Sequence, residues 1–123
     1  MELGAFSISL SVADLGVSRS FYENLGFSAM GGDGETWSIL VNGPAVIGLF
    51  HGMFEGNILT FNPGWTGEGQ ALEDFTDIRD IATALTALGV APENATTGDS
   101  SSGPASFTLT DPDGNALLID QHV

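Results

Sequence analysis

Phe6-Ser7-Ile8-Ser9-Leu10-Ser11-Val12-Ala13-Asp14-Leu15 is the stretch whose reading decides the fold. Phe6, Ile8, Leu10 and Val12 alternate with Ser7, Ser9 and Ser11, which predicts a strand with one apolar face and one hydroxyl-bearing face. Asp14 then offers a helix N-cap and Gly26 a stop. Between them Val17, Phe21 and Leu25 recur every fourth residue and predict the apolar stripe of a short helix. Beyond Gly26, strands are predicted at 27–30, 37–41 and 45–50. The turns between them are Gly31-Gly32-Asp33-Gly34 and Asn42-Gly43-Pro44.

The same order then returns. Residues 57–62 read as a strand and 78–88 as a helix whose apolar face is Ile78, Ile81, Leu85 and Leu88, with Asp77 as cap and Gly89 as stop. Further strands are predicted at 90–96, 105–110 and 116–120, with turns at 98–104 and at Asp111-Pro112-Asp113-Gly114-Asn115. Asp14-Leu15 and Leu25-Gly26-Phe27 align with Asp77-Ile78 and Leu88-Gly89-Val90 at a constant offset of 63, so a tandem repeat is expected. One helix and four strands cannot cover both faces of a sheet. The expected architecture is therefore α+β: two tandem βαβββ modules, residues 1–54 and 55–123, forming a curved mixed-sheet half-barrel with the helices outside. The apolar residues of the opening strand would then face a helix, and the serines the concavity where a ligand would sit.

Composition narrows the function classes. The chain has 123 residues with 2 basic and 16 acidic side chains, a formal net charge of −14. Lysine is absent and the arginines are Arg19 and Arg79, so no basic stripe exists to neutralise phosphates, and an anionic membrane surface would repel the chain. Neutral or cationic small molecules are the partners such a field favours. Without cysteine there is no disulfide framework, thiolate zinc site or cysteine nucleophile. No signal-peptide pattern or bilayer-length apolar run is evident, and a cytoplasmic location is expected.

Ile8-Ser9-Leu10-Ser11-Val12-Ala13-Asp14-Leu15, Ser18, Phe21-Tyr22, Leu25-Gly26-Phe27 and Asp111-Pro112-Asp113-Gly114-Asn115 resemble the vicinal oxygen chelate superfamily. That group includes glyoxalase I, bleomycin-resistance proteins, fosfomycin-resistance transferases and extradiol dioxygenases. The resemblance spans essentially the whole chain and implies paired βαβββ modules and a homodimer. Metal-dependent members hold a divalent ion through His and Glu. The resemblance places the histidine of the first strand at Ser7 and the glutamate of the last strand at Leu118. The remaining two positions fall within 57–59 and 47–50, none of which is His or Glu. A hydroxyl and aliphatic chains do not replace imidazole and carboxylate, so the usual metal site, and with it any cofactor, is expected to be missing.

What is left for chemistry is a short set. His51 follows an apolar strand and His122 lies near the end of the sequence. With Asp120 or Glu55 they would make a displaced site for one divalent metal; the competing reading is a pair of exposed histidines. His51 is also a candidate general base. Asp120 shares strand parity with Leu118, as an anchor for a cationic ligand or a solvated carboxylate at the rim. Trp65 follows Asn62-Pro63-Gly64 and opens a polar loop at 66–73. It would either cover a cavity, with Thr60 and Asn62 offering hydrogen bonds beneath, or pack on a neighbouring sheet. The expected ligand-binding set is Ser7, Trp37, Phe50, His51, Thr60, Asn62, Trp65 and Asp120. The Gly-rich turns carry acidic residues and do not open helices, so they are not phosphate cradles. Three functions follow as alternatives: metal-independent binding of a small organic ligand, a lyase, isomerase or dioxygenase with a displaced metal, and a non-catalytic interaction subunit.

Overall fold

The computed structural model describes residues 1–67, 69–96 and 101–123. The chain is α+β, and its elements run β1 (Ala5–Ser11), α1 (Leu15–Asn24), β2 (Ser28–Gly32), β3 (Trp37–Asn42), β4 (Ala45–Phe50), β5 (Ile58–Asn62), α2 (Ile78–Ala87), β6 (Ala105–Thr110) and β7 (Ala116–Gln121). They fall into two compact units, residues 7–58 and residues 1–6 with 59–123. None of the helices among the described residues is long and apolar enough to cross a membrane.

In the first unit the strand order is β2-β3-β4-β1. β3 and β4 form an antiparallel hairpin, and β1 lies parallel to β4 with Ile8 opposite Ile47 and Leu10 opposite Leu49. Asp14 caps α1 as expected, its side chain accepting the Val17 N–H at 3.1 Å. Leu15 of α1 packs with Leu40, Ile47 and Leu49, and Ile8, Leu10, Val12, Tyr22 and Phe27 close around them. The apolar face of β1 thus looks toward the helix from Ile8 onward, as its alternation predicts. Phe6 does not; it is largely exposed and its ring lies 5.1 Å from that of Phe61 in the second unit's own strand β5.

The stripe on α1 is corrected. Val17, Phe21 and Leu25 are 68%, 59% and 57% exposed, and the helix buries Leu15 and half-buries Ser18 and Tyr22 instead. Both sets have helical spacing, and with ten residues the helix presents only one of them to the sheet. Leu15 in the first turn, fixed by the Asp14 cap, decides which.

In the second unit the order is β5-β7-β6. Ile78 and Ile81 of α2 pack against Ala105, Phe107 and Ile119, with Leu3, Phe61, Ala82, Leu85 and Leu109 around them. Leu88, expected on this face, is the exposed C-cap. The strand read at 90–96 contracts to a single bridge, Glu93 to Thr108, supplemented by the Thr96 N–H on the Ser106 carbonyl at 2.8 Å. Pro92 offers no N–H, and Asn94 has φ 52°, a left-handed turn that interrupts extended backbone. The turn read at 98–104 lies partly outside the described residues. Gly31 and Gly32, read as turn, belong to β2, and the turn itself begins at Asp33.

Candidate functional site

The face of the first unit turned away from α1 carries its aromatic chemistry. Trp37 and Phe50 are cross-strand partners, and their rings stack with centroids 6.2 Å apart and planes inclined by 4°. Phe54 continues the row, 5.4 Å from Phe50. Gly48 makes the arrangement possible: a Cβ there would lie 2.6 Å from Phe50 Cε2 and 3.2 Å from Ile39 Cδ1, so the bare backbone is what lets the Phe50 ring lie over the strand. Ser9 and Ser11 are register partners of Gly48 and Phe50, which puts the β1 hydroxyls, Ser7 included by parity, on this same face. Ser11 Oγ donates to the Phe54 carbonyl at 2.8 Å and ties the end of the row to β1.

Asp33 sets where the row starts. Its carboxylate accepts the hydroxyl of Thr36 and the backbone N–H groups of Thr36, Glu35 and Trp37 at 2.7, 2.9 and 3.0 Å, which holds its pKa well below the usual carboxylate range. By its glycines this segment reads as a plain turn. The signal was available in Asp followed by a Gly-Glu-Thr run, the pattern of an aspartate capping its own turn. His51 is placed at the edge of the same unit: its backbone N–H donates to the Thr36 carbonyl at 2.8 Å, and its Nδ1 is 3.1 Å from the Val12 carbonyl. A carbonyl oxygen only accepts, so Nδ1 is the donor in that contact. Ser7, Trp37, Phe50 and His51 therefore belong to one unit.

The other four expected residues belong to the second unit. Asn62-Pro63-Gly64-Trp65 is a type II turn with the Trp65 N–H on the Asn62 carbonyl at 3.2 Å and Gly64 at φ 91°. A Cβ on Gly64 would meet Val123 Cγ2 at 2.6 Å, so the turn is seated against the residues that follow β7. The Gly64 carbonyl accepts the Leu72 N–H at 2.7 Å and Trp65 bridges to Ala71, which fixes the tryptophan from its far side. Its indole stacks on His122, centroids 4.9 Å apart and planes inclined by 29°. His122 Nε2 in turn lies 3.0 Å from Asp120 Oδ2. That hydrogen bond raises the imidazole pKa, partial burial opposes it, and the charge of Asp120 adds to the rise.

The structure thus adds Trp65 to the His122–Asp120 pairing that the sequence offered. The Trp65 indole meets His122, and its backbone N–H meets the Asn62 carbonyl. Thr60 is buried and Asn62 half-buried on β5, on the parity opposite Phe61, which packs toward α2. On β7, Leu118 and Asp120 share a face and pair with Thr108 and Ser106 of β6. Gln121, on the opposite parity, is a structural residue that sequence reasoning missed: a buried amide at the start of α2 with no motif around it to announce it.

At two of the positions where the resemblance places metal ligands stand Ser7, with a single hydroxyl, and Leu118, with no donor atom. Among the described residues no three His, Asp or Glu side chains come together in a group that could hold a metal ion. A shallow open depression lies on α2, lined by Ala82, Thr83, Thr86 and Ala87, and none of the expected site residues borders it.

Sequence comparison finds no family model and no curated protein that matches the chain. Comparison of structures does. A glyoxalase/bleomycin resistance protein/dioxygenase superfamily member from Vibrio splendidus 12B01 superimposes with TM-score 0.63 at 16% identity, covering 94% of this chain and 97% of that one. Methylmalonyl-CoA epimerase from Mycobacterium tuberculosis gives 0.62 at 16% identity over 97% of this chain and 88% of its own. A Legionella pneumophila structure described as NAD-dependent benzaldehyde dehydrogenase gives 0.69 at 18% identity, covering 96% and 99%. The chain has the vicinal oxygen chelate fold, as its sequence motifs imply. At these identities the likeness concerns the fold, and the function has to come from this chain's own residues.

Proposed function

We propose that this protein binds a small neutral or cationic organic molecule without a metal ion, in the manner of the bleomycin-resistance type of the superfamily. The observation that carries the reading is the Trp37–Phe50 stack, set on a sheet face with the β1 hydroxyls and without a carboxylate or imidazole at the position where the superfamily holds its metal. Stacked aromatic planes offer dispersion and a π surface, and the serines offer orientation. A net charge of −14 raises the local concentration of cations and disfavours anionic ligands. Small-molecule binding as a homodimer in the cytoplasm remains the setting proposed for this activity, and Ser7, Trp37, Phe50 and His51 the residues of the first unit that carry it. Thr60, Asn62, Trp65 and Asp120 are proposed as ligand contacts of the second unit.

Screening neutral and cationic aromatic compounds against the protein in chelator, with the fluorescence that is lost in Trp37→Phe as the readout, tests this. Saturable quenching that Trp37→Phe or Phe50→Ala weakens is expected. A screen in which no compound binds until a divalent metal is added would overturn it.

A further inference from the structure

We infer that Trp65 and Asp120 form a subsite for a planar cation bearing N–H donors, and that His122 occupies it as a tethered stand-in. The inference rests on the small-molecule-binding reading above and names a ligand class for the second unit. Two contacts define it. The His122 ring lies on the Trp65 indole, centroids 4.9 Å apart and planes inclined by 29°, and its Nε2 sits 3.0 Å from Asp120 Oδ2. A flat cation with an N–H in its plane, such as an imidazolium or an amidinium, makes the same pair of interactions: its face on the indole quadrupole and its donor on the carboxylate.

The subsite is built independently of the residue that fills it. Trp65 is positioned by the Pro63-Gly64 turn and by the bridge to Ala71, and Asp120 by its place in β7 opposite Ser106. His122 lies one residue beyond the end of β7, and its side chain is 47% exposed. Removing the imidazole therefore takes away the one ring that both stacks on the Trp65 indole and bonds the Asp120 carboxylate. The flanking residues are anchored without it: Gln121 Nε2 donates to the Val123 carbonyl at 3.0 Å, and Val123 packs at Gly64.

The test uses His122→Ala in a Trp37→Phe background, so that Trp65 is the one tryptophan, in chelator, with benzamidinium as the probe and neutral benzamide as its isosteric control. A tethered side chain competes at an effective concentration on the order of millimolar, so its removal is expected to tighten benzamidinium binding by about tenfold or more. Benzamide should gain nothing, and adding Asp120→Asn should abolish the gain. Free imidazole should restore the Trp65 emission of the His122-containing protein. Equal benzamidinium affinity with and without His122, or a gain that survives Asp120→Asn, would overturn the inference. Binding of aromatic compounds at Trp37 is read on a different tryptophan, so either proposal can fail while the other stands.

Discussion

Gln121 and Ile78 are joined by a 2.7 Å hydrogen bond in which a side-chain carbonyl on β7 accepts the first backbone N–H of α2. The same amide donates to Asp77 Oδ2 and to the Gly103 carbonyl, each at 3.1 Å, in a position 1% exposed. Burial works against the Asp77 carboxylate, and the hydrogen bonds from the Arg79 N–H, Gln121 and the Arg79 guanidinium outweigh it and lower its pKa. Gln121→Leu removes the partner of the buried Ile78 N–H and one donor each from the half-buried Asp77 carboxylate and Gly103 carbonyl. A loss of about 1–3 kcal/mol in urea unfolding is expected. A loss near zero would show that the helix start is satisfied by other means.

His122 makes stability depend on pH in a defined direction. Folding raises its pKa above the ordinary 6.5, so the pair with Asp120 contributes fully below that value. The contribution is lost as pH rises through the folded-state pKa. Melting temperature should therefore fall between pH 6 and pH 8 by more in the parent than in Asp120→Asn. NMR titration of the His122 ring should place its pKa above 6.5 in the parent, moving down in the variant. Parallel profiles in the two proteins would contradict the assignment.

Gly48 is predicted to be a determinant of the aromatic row. Gly48→Ala sets a methyl 2.6 Å from Phe50 Cε2, and the ring, the movable partner, turns away from Trp37. Near-UV circular dichroism should change while the fold is kept. Affinity for a ligand stacked on Trp37 should drop by about three- to tenfold, the equivalent of one aromatic pair. An unchanged spectrum would mean that the ring does not depend on the gap.

The two apolar sets on α1 predict opposite outcomes. Leu15→Ala opens a cavity among Leu40, Ile47 and Leu49 and should cost about 2–5 kcal/mol. Phe21→Ser removes a largely exposed ring and should change stability by no more than about 0.5 kcal/mol. Chemical denaturation of both variants decides between the face read from spacing and the face seen in the structure.

Those outcomes bear on how much the sequence reveals. Strand β1 and both helix caps and stops were legible because alternation, capping aspartates and stop glycines are local signals. The buried side of α1 was not, because Val17-Phe21-Leu25 and Leu15-Ser18-Tyr22 both satisfy helical spacing and only the sheet beneath selects one. The 90–96 strand failed at Pro92 and Asn94, where a missing donor and a left-handed residue outweigh the apolar pattern. Of the site, the His122–Asp120 pairing could be read and the place of Trp65 beside it could not. Trp65, Asp120 and His122 are more than fifty positions apart at the extremes and meet only through the type II turn and the register of β7.

The central claim, metal-independent binding on the Trp37–Phe50 face, is tested most directly by one measurement: the dissociation constant of a ligand recovered from the Trp37 screen, determined by calorimetry with and without EDTA. The account predicts the same constant in both, with one saturable site lost in Trp37→Ala. Binding abolished by EDTA and restored by one divalent metal ion per chain would contradict it.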